Sequence, residues 1–167
     1  QALIALEKYE APSGRCRLLA GKNSSIIIDD SYNASPAAVE EVLATLKLFP
    51  RAGRRIAVLG DMLELGRFSV TEHERIAVLA GESVDVIVTV GIRARAFAAA
   101  PRGARVMQFD NSCAAAGELQ SFVREGDVIL VKGSQSIRTE RIVEALLADP
   151  SDVSKRVRQE KKWKEKL

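Results

Sequence analysis

Clusters of polar and charged residues follow several apolar runs of this 167-residue chain. The first cluster, residues 29–33 (Asp-Asp-Ser-Tyr-Asn), comes directly after three consecutive isoleucines. A carboxylate at the end of a buried strand can accept both hydroxyls of a ribose, and a neighbouring Tyr or Asn can contact a base. In the alternative interpretation, Asp30 and Asn33 only cap the next helix and turn the chain. Residue types alone leave both interpretations open.

The second cluster, residues 59–66 (Leu-Gly-Asp-Met-Leu-Glu-Leu-Gly), is an apolar loop that contains two glycines and two acids. Gly60 allows a sharp turn after a strand. Asp61 and Glu64 could together bind an ammonium group. Alternatively, the loop is buried under a neighbouring domain and both acids pair with nearby arginines.

The third cluster is Lys-Gly-Ser-Gln-Ser at residues 132–136. Lys132, the hydroxyl of Ser134 and free backbone N–H groups at the start of a helix are suited to a small carboxylate or phosphate. The cluster is not a P-loop, because the second glycine and the Gly-Lys-Ser/Thr order are missing. Ser134 or Ser136 could instead simply cap the helix.

Three further residues are candidates on chemical grounds. His73 is the only histidine, and a single histidine in the first turn of a helix is more often structural than catalytic. Arg15 precedes the first predicted strand, an unusual position for a purely structural arginine, and Arg138 could either reach the third cluster or be exposed. The two cysteines, Cys16 and Cys113, match no metal or redox spacing, so we expect two buried free thiols.

The composition is that of one folded domain with a charged tail. Hydrophobic residues make up 47% and charged residues 28% of the chain, as in ordinary globular proteins. No apolar run approaches the roughly 20 residues that span a bilayer. Residues 151–167 contain seven Lys or Arg and three acids, which gives +4. The rest has 18 basic and 19 acidic residues, or −1, which argues against nucleic-acid binding.

Short Val- and Ile-rich runs alternate with amphipathic segments after residue 15. The predicted strands are 17–20, 25–29, 55–59, 84–90, 105–109 and 127–131, and the first two form a hairpin. The predicted helices are 36–49 with Ser35 as N-cap, 71–81 with Thr71 and Glu74 as a capping box, 92–100, 112–124 and 136–148. This alternation predicts an α/β, Rossmann-like three-layer sandwich with a mostly parallel, about six-stranded sheet and an N-terminal hairpin.

The two ends of the chain differ from its middle. We expect residues 1–12 to be the end of a preceding domain and a linker, since Pro12 and Gly14 break regular structure. Residues 13–149 form the predicted domain. Residues 150–167 form a basic tail that we expect to be a solvated helix. The chain does not begin with methionine, so we expect a fragment of a longer protein.

Five pieces of the sequence, taken in order, resemble the C-terminal domain of the Mur ligase family: residues 13–15 (which include Arg15), 28–34 and 59–66, His73, and residues 131–134. Within the family they look most like the enzymes that add D-alanyl-D-alanine to a peptidoglycan precursor. The resemblance covers residues 13–148. Ser35 stands where the family usually has a second Asn, and Gln135 stands where many relatives have Arg.

This resemblance implies an ATP-dependent ligase that forms an acyl phosphate, which the dipeptide amine then attacks. It implies that Arg15 is catalytic and moves toward the γ-phosphate when the domains close. The implied nucleotide-binding residues are Asp30, Tyr32 and Asn33. The implied residues of the dipeptide side are Asp61, Glu64, His73, Lys132 and Ser134.

The same resemblance implies partners in one polypeptide: a central ATPase domain and an N-terminal UDP-MurNAc-binding domain, with ATP and Mg²⁺ as cofactors of the full-length enzyme. The chain has no phosphate loop, and we predict no metal ligand in it. We therefore expect the chain to be inactive alone. We also expect a cytoplasmic, monomeric protein with no transmembrane segment. Two alternatives stay open: a free-standing Rossmann-like binding module and another amide ligase of the Mur superfamily.

Overall fold

The computed structural model describes residues 11–49, 53–99 and 103–158, together with 160 and 163. The predicted end of a preceding domain, up to residue 10, lies outside the described residues. One sheet contains six strands: β1 (Arg17–Gly21), β2 (Ser25–Asp30), β3 (Arg55–Gly60), β4 (Val86–Val90), β5 (Arg105–Phe109) and β6 (Val128–Lys132).

The strands lie in the order β1-β2-β6-β3-β4-β5. β1 pairs with β2 in antiparallel orientation, and all other neighbours are parallel. The predicted hairpin and mostly parallel sheet are therefore confirmed. Because β2, β6 and β3 are adjacent and parallel, the polar residues that follow them meet at one edge of the sheet.

The α-helices of the described chain are α1 (Pro36–Leu48), α2 (Ser69–Gly81), α3 (Ser112–Phe122) and α4 (Glu140–Leu146). α1 begins as predicted, because the Ser35 hydroxyl accepts a hydrogen bond from the Ala38 N–H and Pro36 occupies the first turn. Short 3₁₀ helices occur at Lys22–Ser24, Gly66–Phe68, Arg93–Ala99, Gln135–Ile137 and Pro150–Lys155. No described helix has the length and apolar character needed to cross a membrane.

The hydrophobic core lies on both faces of the sheet, which makes three layers. Alternate strand residues point to opposite faces. Ile28 and Leu130 pack on one face with apolar residues of α1 and α2. Ile27 and Ile129 pack on the other with apolar residues of α3 and α4. Burial on both faces explains why the central strands β3, β4 and β6 are almost continuously apolar.

Two predicted helix starts are wrong. α2 begins at Ser69, directly after the 3₁₀ helix Gly66–Phe68, so Thr71 lies inside the helix and forms no capping box. α4 begins at Glu140 because Arg138 adopts the left-handed conformation, with φ of 61°, which interrupts the predicted helix from residue 136. The predicted α-helix over 92–100 is a 3₁₀ helix over Arg93–Ala99.

The described part of the tail differs from the predicted solvated helix. Pro150–Lys155 forms a 3₁₀ helix, and the next three residues, Arg156, Val157 and Arg158, are buried. Val157 lies against Gly14, where an added Cβ would come within 2.6 Å of the valine Cγ1. The expectation of buried thiols is also wrong, since both cysteines are exposed.

Asp127 fixes the amino ends of β6 and β3. Its Oδ1 accepts hydrogen bonds from the Arg54 backbone N–H and Nε, each at 3.1 Å. Its Oδ2 accepts from Arg54 Nη2 at 2.7 Å and from the Arg124 N–H at 2.8 Å. Burial raises the pKa of Asp127, but these hydrogen bonds outweigh it, so the pKa lies below its ordinary value.

We expect Asp127→Asn to lower the free energy of unfolding at pH 7 by about 2 kcal/mol, because Arg54 loses its charge partner. A lowered pKa in the fold means that the ionised carboxylate stabilises the protein above the unfolded-state pKa of about 3.9. That stabilisation is lost as the pH falls through the folded-state pKa. The difference between the variant and the wild type should therefore shrink below about pH 4, in urea denaturation followed by circular dichroism.

Asp110→Asn is the matched control. Asp110 also pairs with an arginine, Arg95, at 2.6 Å, but both side chains are more than half exposed. We expect this change to cost less than about 1 kcal/mol. Equal losses in the two variants would mean that the Asp127 pair is no more important than a surface pair.

Candidate functional site

Lys132 and Asp30 form a buried ion pair at the carboxyl ends of β6 and β2. They are partners in the parallel register, so their side chains lie on the same face of the sheet. Lys132 Nζ lies 2.6 Å from Asp30 Oδ2 and donates a 2.9 Å hydrogen bond to the carbonyl oxygen of Asn33. Although we predicted them to bind different ligands, these two charged residues are in direct contact.

The remaining oxygen of Asp30, Oδ1, faces the segment that precedes β1. It accepts a 3.3 Å hydrogen bond from the Cys16 N–H. The Asp30 carboxylate therefore connects three parts of the chain: β2, β6 and the segment that carries Arg15. A carboxylate has more acceptor positions than these two contacts use, so it can still accept a ligand hydroxyl at its edge.

Asp29 points to the opposite face of the sheet and stabilises the turn. It is fully buried, and its Oδ1 accepts hydrogen bonds from the Ser31 hydroxyl at 2.5 Å and the Ser31 N–H at 3.2 Å. Burial raises the pKa of Asp29 above its ordinary value, although the hydrogen bonds from Ser31 oppose the shift. Of the two adjacent acids, only Asp30 lies on the face that carries the ion pair.

Tyr32 and Asn33 are exposed beyond the end of β2. The guanidinium carbon of Arg15 lies 4.2 Å from the centre of the Tyr32 ring, a cation–π contact. The Tyr32 N–H also donates to the Gly14 carbonyl at 3.1 Å. The structure thus brings Arg15 to the first cluster, where a ligand could reach all three side chains.

Ser134 joins the three strand-end clusters to one another. Its hydroxyl accepts a 2.9 Å hydrogen bond from the Leu63 N–H and donates a 3.4 Å bond to the Ala34 carbonyl. Its own N–H donates to the Asp61 carbonyl at 3.0 Å. Ser134 is therefore a buried link between loops, and its hydroxyl makes no capping hydrogen bond to the 3₁₀ helix Gln135–Ile137 that follows.

Gly133 permits the close contact between β6 and β3 at this edge. A Cβ at this position would lie 2.7 Å from Thr139 Cγ2 and 3.2 Å from the Gly60 Cα. Any larger residue would therefore push the third cluster away from the second. The glycines of the two clusters are needed for this approach of two backbones.

A cleft of about 350 Å³ opens between the three clusters. Its polar lining includes Glu64 and Asn33, which are exposed, and Ser134. The remaining lining residues are Ala34, Ser35, Leu63, Leu65, Gln135 and Ser136. The lining combines one carboxylate with several hydroxyl and amide groups, a set that suits a small molecule with both an ammonium and a carboxylate group.

Glu64 reaches this cleft through an uncommon backbone conformation. Its φ is 66°, in the left-handed region that non-glycine residues seldom adopt, and Gly66 follows with φ of 52°. Such positions occur often at ligand-binding turns. The loop therefore places its acid in the cleft at a conformational cost that the surrounding contacts must offset.

Asp61 has a different environment from Glu64. It is buried, and its Oδ1 accepts a 2.7 Å hydrogen bond from the Ala94 N–H while Arg93 lies 3.6 Å from Oδ2. A Cβ at Gly91 would lie 2.5 Å from the same carboxylate. Asp61 thus stabilises the turn after β4, and it is not among the residues that line the cleft.

His73, on α2, positions the second cluster through a hydrogen bond to its backbone. It is fully buried and stacks edge-on against Phe97, with ring centres 5.8 Å apart. Its Nε2 accepts a 3.0 Å hydrogen bond from the Met62 N–H, so its Nδ1, 2.7 Å from the Ser69 carbonyl, must be the protonated donor. Both ring nitrogens are thereby occupied within the protein, which favours a positioning role.

Two larger grooves, of about 880 and 710 Å³, lie along β1. They are lined largely by β1 and residues next to it, and neither is lined by residues of the second or third cluster. The smaller strand-end cleft, which residues of all three clusters line, is therefore the better candidate site. Across the described residues, no group of three or more His, Cys, Asp or Glu side chains could hold a metal ion.

The prediction missed the contribution of Arg158 and Glu140. Arg158 donates hydrogen bonds to the carbonyls of Ser31 at 3.2 Å and Tyr32 at 2.6 Å. It also contacts Glu140, which binds Arg138 as well. These contacts join residues 126 and 127 positions apart in the chain, so no local sequence signal could have revealed them.

A mostly parallel sheet with helices on both faces and polar loops beyond its strand ends defines an α/β protein of the Rossmann-like class. Within that class the family can be assigned. Residues 14–135 match the model of the Mur ligase glutamate ligase domain, and the chain belongs to this family.

Curated relatives and solved structures support the same family. The chain is 35% identical over 144 residues to UDP-N-acetylmuramoyl-tripeptide–D-alanyl-D-alanine ligase of Mycobacterium leprae, with 74% of this chain and 28% of that protein covered. It is 31% identical to the Bacillus subtilis enzyme of the same name, with 81% and 31% covered. The chain therefore spans less than a third of the length of these relatives.

Among solved structures, the MurF ligase from Thermotoga maritima in complex with ADP superimposes with a TM-score of 0.73 at 30% identity. The match covers 85% of this chain and 32% of that structure. A MurF structure from Acinetobacter baumannii gives a TM-score of 0.69 at 27% identity.

The ion pair at the sheet edge is testable by a double-mutant cycle. We expect Lys132→Met to lower the free energy of unfolding by about 3–5 kcal/mol, because Asp30 keeps a buried charge without its partner. Asp30→Asn should also destabilise. The double variant should be more stable than the sum of the single effects predicts, by about 2 kcal/mol or more, in urea denaturation at pH 7.

The exposed pair Arg75–Glu40, at 2.8 Å, provides the control cycle. We expect a coupling energy below about 1 kcal/mol there. Additive effects at Asp30 and Lys132 would show that the two charges do not depend on each other.

Proposed function

We propose that this chain is the C-terminal domain of an ATP-dependent ligase that joins D-alanyl-D-alanine to UDP-MurNAc-tripeptide through an acyl phosphate. The observation that carries the proposal is the convergence at one sheet edge of the three clusters that also resemble this ligase. Relatives with that name, from mycobacteria to Bacillus subtilis, match over 74–81% of the chain. The reaction belongs to peptidoglycan precursor synthesis.

The nucleotide side of the proposed site is formed by Arg15, Asp30, Tyr32 and Asn33. The exposed Tyr32 ring and Asn33 amide suit adenosine, and the edge of the Asp30 carboxylate suits a ribose hydroxyl. Exposed cation–π contacts contribute only about 0.5–1 kcal/mol. Arg15 can therefore leave Tyr32 at small cost and move to a phosphate group when a neighbouring domain closes.

The dipeptide side is the 350 Å³ cleft. Glu64 would bind the ammonium group of the dipeptide, and hydroxyl and amide groups around Ser134 would bind its carboxylate. Asp61, His73 and Lys132, predicted from the resemblance to act on this side, would contribute by holding the loops in place. Lys132 lies closer to the nucleotide side, because its ammonium group is bound to Asp30 and to the Asn33 carbonyl.

In this proposal, a preceding central domain supplies the phosphate loop and the Mg²⁺ ligands, and an N-terminal domain binds UDP-MurNAc. Closure of the domains would bring the dipeptide amine to the acyl phosphate, and orientation of this kind can contribute several kcal/mol. We place the reaction in the cytoplasm, where ATP is available, and expect a monomer.

The decisive experiment measures phosphate release by the full-length parent with ATP, Mg²⁺ and UDP-MurNAc-tripeptide, with and without D-alanyl-D-alanine. We expect release that depends on the dipeptide. The 167-residue chain at the same concentration should release none, because a ligase site divided between domains is incomplete in it.

Two results would contradict the proposal. Phosphate release that does not change with the dipeptide, in a folded parent, would remove the assigned substrate. Ligase turnover by the 167 residues alone would show that the division of the site between domains is wrong.

A further inference from the structure

The turn that follows β2 is held by two buried cations. Lys132 donates to the carbonyl of Asn33, and Arg158 donates to the carbonyls of Ser31 and Tyr32. Three consecutive carbonyl oxygens are thus fixed by positive charges from β6 and from the tail. These contacts fix the backbone of the turn that carries Tyr32 and Asn33.

We propose that Arg158 is a positioning residue for the nucleotide side of the site: it fixes the turn that presents Tyr32 and Asn33 and thereby the surface on which Arg15 rests. This inference rests on the proposed function. Arg158 lies beyond residues 14–135, which match the family model, so the match assigns it no role.

Neutralising the charge of Glu140 does not by itself explain the contacts of Arg158. Glu140 is fully buried, and Arg138 already lies 2.5 Å from its Oε1. Arg158 Nη1 lies 3.0 Å from the other oxygen, Oε2, which fixes the guanidinium group. Its Nη2 then points away from Glu140 and reaches the Tyr32 carbonyl at 2.6 Å. Glu140 therefore orients Arg158, and the guanidinium group of Arg158 binds the turn that follows β2.

The backbone conformation at Arg158 and the packing of the residue before it set the position of this side chain. Its φ is 57°, in the left-handed region that costs energy for a non-glycine residue. The preceding Val157 packs against Gly14, so the tail lies directly beside the segment that carries Arg15. The guanidinium carbons of Arg15 and Arg158 lie 4.2 and 5.7 Å from the centre of the same Tyr32 ring.

The test compares Arg158→Ala with Arg156→Ala in the full-length parent. Arg156 is a matched control, because it is equally buried and lies two positions away, but it pairs with Glu144 on α4 at 2.5 Å. We expect Arg158→Ala to raise KM for ATP by about tenfold while KM for D-alanyl-D-alanine at saturating ATP stays within about twofold. Arg156→Ala should leave both constants within about twofold.

A conservative pair of variants covers the case in which Arg158→Ala does not fold. Arg158→Lys keeps the charge but has a single nitrogen, which cannot occupy the positions of both Nη1 and Nη2, so we expect KM for ATP to rise about threefold. Arg156→Lys should have no such effect. The inference is wrong if a folded Arg158 variant leaves KM for ATP unchanged, or if the Arg158 and Arg156 variants raise both KM values alike.

ADP affinity, measured by calorimetry on the same parent proteins, separates this inference from the proposed function. If the parent binds ADP but shows no dipeptide-dependent turnover, the proposed ligase function fails. The inference then stands if ADP affinity falls about tenfold in Arg158→Ala and not in Arg156→Ala, and it fails if the two variants bind ADP equally. A parent without any ADP affinity would overturn both.

Discussion

The buried ion pair between Asp30 and Lys132 is the constraint on which the site depends. Two opposite charges on adjacent parallel strands can be taken out of water only if each satisfies the other. The pair therefore fixes the relative position of β2 and β6 at their carboxyl ends. Lys132 also binds the Asn33 carbonyl in the turn after β2, and Asp30 binds the Cys16 N–H in the segment before β1. Removing one charge leaves the other buried, so the site and the fold are coupled.

Around this pair, buried polar residues hold the loops in place through hydrogen bonds, and other residues of the same loops are exposed. Ser134, Asp61 and His73 have their polar atoms bound within the protein. Tyr32 and Glu64 project beyond them. This division explains how loops rich in apolar residues can form a candidate ligand site: their backbone is held by a few internal hydrogen bonds, and a small number of side chains remain exposed.

The sequence predicted the fold well because its signals are local and strong. Short apolar runs marked five of the six strands to within one residue at either end, and β4 begins two residues later than predicted. The start of α4 was harder to predict, because it depends on the left-handed conformation of Arg138, which no feature of the sequence indicates. The ion pair could not be predicted, because it requires the strand order that places β6 beside β2. The role of Arg158 depends on a contact across most of the chain.

The central claim is that the sheet edge has a nucleotide side and a dipeptide side. Steady-state kinetics of the full-length parent with Tyr32→Ala or Glu64→Gln tests it most directly. The account predicts that Tyr32→Ala raises KM for ATP by about tenfold and leaves KM for D-alanyl-D-alanine unchanged, and that Glu64→Gln does the reverse. Equal effects of both variants on both substrates, or no effect of either, would contradict a site divided in this way.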